Sequence, residues 1–188
     1  MMKLVYSISN KLYYIKNFLD YSSYKKIHYD VFRSKKINLH STEKEWQECL
    51  HHGHKNYVED TQLDINYAPL QKIKILLENN PFHKVIIKDY KPKIQSMSDG
   101  TGINWHDDSG WKYGITYYIN RRWNRKFGGE FLFADKYSNG FIPLMGNSIV
   151  ILKAPLCHKV SPVQKPIVSR KTIQIFIDNE KKNDRKNI

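Results

Sequence analysis

Tyr113-Gly114-Ile115-Thr116-Tyr117-Tyr118-Ile119 is a short run of β-branched and aromatic residues, and it reads as a strand. The same texture extends outward on both sides. Candidate strands fall at residues 84–90, 94–97, 103–107, 130–134, 141–143, 148–152, 158–160 and 171–177. Between them lie turn formers: Asp99-Gly100-Thr101-Gly102, Gly128-Gly129, Ser138-Asn139-Gly140 and Met145-Gly146-Asn147. Many short strands punctuated in this way predict an all-β sandwich or barrel from residue 83 onward.

Upstream the pattern is mainly helical. Residues 14–19 read as a short strand, after which Asp20, Ser22 or Ser23 caps a helix through Ile27 toward Phe32. Ser41-Thr42-Glu43-Lys44-Glu45 resembles a capped helix start, with Trp46 and Leu50 on one face and Gly53 ending it. Pro69 opens a third helix through Leu77, stopped by Asn79-Asn80-Pro81. The expected architecture is one mainly β domain over residues 1–188 with flanking α-helices. Residues 1–82 form a helical support region, 83–178 the catalytic β-barrel and 179–188 a basic tail.

The 188 residues are 40% hydrophobic and 13% aromatic, enough to bury a sizeable core. No apolar run approaches the roughly 18 residues a membrane span requires, and Ser, Asn and Lys interrupt the opening residues before a signal-peptide pattern forms. A soluble cytoplasmic protein without a membrane partner is expected. Cys49 and Cys157 are too few for a disulfide framework and lack metal-site spacing. A formal charge of +13 attracts acidic partners, nucleic acid among them, without choosing between them.

The chemistry concentrates at Asn104-Trp105-His106-Asp107-Asp108. Strand alternation puts His106 and Asp108 on one face and Asp107 on the other. His158 follows Asp108 by 50 residues, room for intervening strands to return it to the first pair. Two histidines and one carboxylate make the facial triad of non-haem iron sites, which leaves coordination positions open. Arg170, 12 residues beyond His158, shares a strand face with Thr172, where a guanidinium fork and a hydroxyl together suit a carboxylate; a surface arginine on an edge strand is the alternative reading, preferred if the metal ligands were missing. His51-His52-Gly53-His54 has no companion carboxylate or cysteine at ligand spacing and reads as a solvated loop. Alternation aims Cys157 away from His158, so it receives no catalytic role.

Residues 95–177 resemble the catalytic core of the prolyl 4-hydroxylase-like branch of the 2-oxoglutarate/Fe(II)-dependent dioxygenase superfamily. The resemblance runs through His106-x-Asp108, Thr116-Tyr117-Tyr118-Ile119-Asn120 with Trp123, Gly128-Gly129-Glu130-Phe131, Pro143 with Gly146-Asn147, His158-x-Val160 and Arg170-x-Thr172. It implies a double-stranded β-helix, the cupin-like jelly roll. His106, Asp108 and His158 would hold Fe(II). Arg170, Thr172 and Tyr118 would bind the distal carboxylate of 2-oxoglutarate, the co-substrate used with O2, and ascorbate is a further cofactor candidate. The implied reaction hydroxylates a C–H bond and releases succinate and CO2. Because Asp108 is a carboxylate, no ligand position is vacated for chloride as in related halogenases.

The resemblance suggests a prolyl residue as substrate, while similar cores also process free amino acids, small metabolites and sugars. Trp111 and Lys112, just after the metal loop, are the expected substrate contacts, with Trp105 and Trp123 as core or rim. Gly128-Gly129 is expected to be a turn that delivers Glu130 and Phe131 into a strand. One rival is a nucleic-acid demethylase of the same superfamily. Such enzymes carry a second arginine six residues after the first, where this chain has Phe176. The other is a catalytically silent metal-binding β-barrel, against which the complete ligand set argues. The pattern does not set an oligomeric state.

Overall fold

The hydroxyl and carboxylate residues at 20–23 start the first helix as their chemistry dictates. In the computed structural model, which describes residues 1–33, 40–41, 58–136 and 138–178, Asp20 accepts from the Ser23 amide at 3.0 Å and caps α1, Tyr21–Phe32. Pro69 lies in the first turn of α2, Ala68–Glu78, where its missing N–H costs nothing. Tyr24, Ile27 and Val31 of α1 and Leu70, Ile73 and Leu77 of α2 are buried.

Among the described residues, the strands are β1 (Lys3–Ile8), β2 (Leu12–Lys16), β3 (His40–Ser41), β4 (Val58–Gln62), β5 (Tyr90–Met97), β6 (Ile103–His106), β7 (Trp111–Tyr118), β8 (Phe131–Asp135), β9 (Ser138–Ile142), β10 (Ser148–Lys153), β11 (Cys157–Val160) and β12 (Arg170–Asp178). One sheet has the order β1-β2-β10-β7-β12-β5-β4-β3 and the second β6-β11-β8-β9. The pairs are antiparallel, and the two sheets form the jelly-roll β fold expected from the sequence.

The large sheet has two unlike faces because side chains alternate along each strand. Ile94, Ile115, Tyr117, Ile149, Ile151, Ile173, Ile175 and Ile177 form one core with α1 and α2. Full burial of each such side chain contributes roughly 1.5–3 kcal/mol, which holds the helices against that face. The opposite face looks toward the small sheet, where Leu152, Val150, Phe131, Phe133 and Tyr118 form a second cluster.

Three expectations need correction. Residues 1–82 are not a purely helical support region: they supply β1 to β4 as well as α1 and α2, and β2 pairs directly with β10. Residues 84–89 form no strand. Val85 and Ile87 are buried and Ile86 is 68% exposed, so the alternation is real. It comes from packing, with the Val85 amide donating to the Leu77 carbonyl at 3.1 Å rather than to a neighbouring strand. Ser138-Asn139-Gly140 is strand rather than breaker, and a Cβ at Gly140 would lie 2.8 Å from the Phe133 ring, so glycine admits the aromatic neighbour. The helix expected after Ser41, Cys49, the histidines at 51–54 and the tail from 179 lie outside the described residues. No helix among the described residues is long and apolar enough to cross a membrane.

Candidate metal centre

The short strand β6 ends on His106, and β11 places His158 directly opposite it in register. The imidazole centroids are 4.1 Å apart. His106 Nδ1 lies 2.7 Å from the Asn104 carbonyl, and His158 Nδ1 lies 2.8 Å from the Leu156 carbonyl. A carbonyl only accepts, so each Nδ1 carries the proton and donates, which puts the ring lone pair on Nε2. Burial, followed by the neighbouring His158, depresses the His106 pKa and favours the neutral, ligating form. Phe131 stacks on His158 at 5.0 Å and 20°, fixing the ring from the other side.

Asp108 reaches the same point by a different route from the one alternation predicts. The strand has already ended, and Asp108 adopts φ 54°, a left-handed conformation that aspartate tolerates better than most residues. Trp111 donates its amide to the Asp108 carbonyl at 2.9 Å and closes the turn. The Asp108 carboxylate then lies 3.6 Å from His106 Nε2 and 3.4 Å from His158 Nε2. One ligand atom from each residue falls within 4.8 Å of the others. Asp107 is exposed and accepts from the Ser109 amide instead.

Sequence reasoning missed Gly114. A Cβ there would lie 2.6 Å from Asp108 Oδ2, so the bare backbone of β7 makes room for the carboxylate. The signal was available as a glycine inside a strand, which marks a close approach.

A small cavity opens beside the three residues, and its lining includes Gln95, Thr116, Gln174 and Phe176. Its polar floor is internally bonded: Thr116 Oγ1 donates to Gln174 Oε1 at 2.9 Å, and Gln174 Nε2 donates to Thr172 Oγ1 at 3.1 Å and to Gln95 Oε1 at 3.4 Å. Gln174 was legible from its strand parity with Arg170 and Thr172, whereas nothing local marked Gln95.

Arg170, Thr172 and Tyr118 do not line that cavity. They form a fully buried layer on the same sheet face, with Thr172 opposite Tyr118 in register. Arg170 Nε donates to the Gly129 carbonyl at 3.0 Å, and the guanidinium carbon lies 5.4 Å from the Tyr118 ring centroid. Gly129, at φ 77°, therefore does more than turn the chain, since a Cβ there would lie 3.0 Å from Arg170 Cδ. Arg170 Nη2 and the Tyr118 hydroxyl have no hydrogen-bond partner. Burial lowers the Arg170 pKa and raises that of Tyr118 to about 12, so the phenol stays a donor at neutral pH. A buried guanidinium with an unused N–H fits a carboxylate ligand, and two imidazoles with one carboxylate fit ferrous iron.

Of the other expected residues, Trp111 is half-buried beside the site, while Lys112 does not line the adjoining groove. Trp105 is 44% exposed, and Trp123 donates Nε1–H to the Gly128 carbonyl at 2.8 Å. Cys157 is exposed, with its side chain on the opposite side from buried His158.

No protein-family model matches the chain, and no curated protein matches its sequence. Solved structures do. A Pseudomonas putida prolyl-4-hydroxylase matches with TM-score 0.68 and 11% identity over 90% of this chain and 92% of its own. A Trichoplax adhaerens prolyl hydroxylase in complex with a hypoxia inducible factor oxygen degradation domain peptide fragment gives TM-score 0.68 and 17% identity over 92% and 86%. The viral collagen prolyl hydroxylase from Paramecium Bursaria Chlorella virus-1, in a 2OG complex, gives 0.61 and 13% over 89% and 96%. This chain has the jelly-roll β fold of the prolyl 4-hydroxylase-like 2-oxoglutarate/Fe(II) oxygenases.

Proposed function

We propose that the protein is an Fe(II)- and 2-oxoglutarate-dependent oxygenase that hydroxylates a C–H bond of a peptide, with a prolyl residue as the first candidate, and releases succinate and CO2. The observation that carries this reading is the pairing of the His106–Asp108–His158 cluster with a buried guanidinium, Arg170, on the facing sheet, whose Nη2 has no hydrogen-bond partner. Iron and 2-oxoglutarate, when bound, supply O2 activation and oxidative decarboxylation.

The chain's own residues hold and orient. His106 and His158 would hold the iron through Nε2 and Asp108 through a carboxylate oxygen. Arg170 and Tyr118 donate to the far carboxylate of 2-oxoglutarate. Thr172 accepts from Gln174, so its own hydroxyl proton is left to join them. Gln174 fixes Thr172 and the Gly129 carbonyl fixes Arg170 before the ligand arrives, which reduces the ordering cost of binding.

A peptide substrate draws support from the Trichoplax relative's bound peptide. Phe176, in place of a second arginine, disfavours the nucleic-acid demethylase reading. The test is succinate release from Fe(II), 2-oxoglutarate, O2 and ascorbate in the presence of prolyl peptides, free amino acids or oligonucleotides. We expect peptide-stimulated release. Iron binding with no succinate from any of them would leave the silent metal-binding β-barrel as the better account.

A further inference from the structure

Beside the ligand set lies a groove of about 900 Å³, lined by Asp60, Gln62, Lys91, Lys93, Asp108, Trp111 and Phe176. Because Asp108 also borders the inner cavity, the groove is the approach to the metal position from outside. Strand parity builds it: Lys91, Lys93 and Gln95 share one face of β5, and Phe176 of β12 stands opposite Lys91 in register.

The two lysines are in unlike electrostatic states. Lys93 is half-buried and paired to Asp60 at 2.8 Å, so that pair adds little net charge. Lys91 is exposed, sits 5.3 Å over the Trp111 ring, and has no carboxylate at ion-pair distance among the described residues. Trp111 and Phe176 pack at 5.3 Å and 40° and give the groove an aromatic floor. Of the described lysines lining the groove, Lys91 is the one without a carboxylate at ion-pair distance.

Resting on the oxygenase reading, we infer that the substrate is an acidic peptide: its aspartate or glutamate pairs with Lys91 while an apolar neighbour lies on Trp111 and Phe176. A lysine- or arginine-flanked segment would instead bring its cation against Lys91. An exposed ion pair contributes up to about 1 kcal/mol, equivalent to roughly fivefold in affinity, so the effect is selective rather than all-or-none.

The experiment uses end-blocked, fluorescently labelled proline-centred peptides flanked by glutamate, glutamine or lysine. Binding to the full chain with Fe(II) and 2-oxoglutarate is measured under nitrogen by anisotropy, near physiological salt so that the general positive charge is screened. The glutamate peptide should bind about fivefold tighter than the glutamine peptide, with the lysine peptide weakest. Lys91→Gln should erase most of that preference and Lys91→Glu should reverse it. Equal binding by all three, binding by none, or a preference that survives Lys91→Glu overturns the inference. Parallel succinate assays separate the two readings. Glutamate preference without succinate sinks the oxygenase and keeps the groove, whereas succinate stimulated equally by all three does the opposite.

Discussion

The two faces of the large sheet are built from the same strands, yet they do opposite work. On β12, Ile173, Ile175 and Ile177 face the helices and are almost completely buried in an apolar core. Arg170, Thr172, Gln174 and Phe176, one residue out of phase, face the small sheet with an arginine, a hydroxyl and an amide. β7 repeats the contrast, with Ile115 and Tyr117 outside and Gly114, Thr116 and Tyr118 inside. The outer face supplies stability and the inner face spends some of it, since the Arg170 Nη2 N–H is buried without a hydrogen-bond partner. Function and folding are therefore separable by strand parity, and substitutions on the two faces should fail in different ways.

The largest effect is expected at the ligand set. His106→Ala, Asp108→Ala or His158→Ala should each abolish turnover and weaken iron binding by more than about 100-fold, beyond what loss of an outer-shell partner costs. Without metal, His158→Ala, which leaves a cavity beside Phe131, and Asp108→Ala, which puts alanine in a left-handed turn, should melt somewhat below wild type, and His106→Ala closer to it. Iron titration and calorimetry of the same samples check both halves, and wild-type iron affinity in all three would end the assignment.

Ile173→Ala tests the opposite face. The side chain is fully buried, so a loss of about 2–5 kcal/mol of stability is expected in denaturant titration, with iron affinity of the folded fraction unchanged. A large change in iron affinity would break the separation of the faces.

Arg170 sharpens it. Arg170→Met should weaken 2-oxoglutarate binding by about 10- to 100-fold, from the roughly 1.5–3 kcal/mol of charged hydrogen bonds removed. Without ligand the variant should melt near wild type, because removal of a costly buried charge offsets the lost Nε–Gly129 hydrogen bond. Added 2-oxoglutarate should no longer raise its melting temperature as it does for wild type. An unchanged 2-oxoglutarate affinity would leave the co-substrate without its anchor.

Gly114→Ala places a methyl group where Asp108 Oδ2 now lies and should lower iron affinity about 10-fold, with little change in stability. Asp107→Ala should do much less, its side chain being exposed. Equal losses from Asp107→Ala and Asp108→Ala would show the turn to be misread.

The smallest effect is on pH. Burial holds His28 and His83 below their ordinary 6.5, so the folded state binds fewer protons than the unfolded one. Their contribution is complete above about pH 6.5 and is lost as pH falls through the folded values. A modest decline in melting temperature below that point, reduced in His83→Gln, is the expected result.

Much of this was written locally. The alternation of β-branched and polar residues set the strand phases of β7 and β12, and with them which side chains share a face. The sequence also singled out His106, Asp108 and His158, which the fold brings within 4.8 Å of one another, and Arg170, which it buries on the facing sheet. Long-range pairing and packing decided the rest. Whether residues 84–89 pair as a strand depends on a partner far along the chain, and so does the recruitment of β1 and β4 into the large sheet. Asp108 joins the histidines through a left-handed turn and the space left by Gly114, rather than through an extended strand. Only tertiary structure brings Lys91 over Trp111 or leaves Arg170 Nη2 without a hydrogen-bond partner, since both facts depend on what other strands bring near, and no local propensity encodes that.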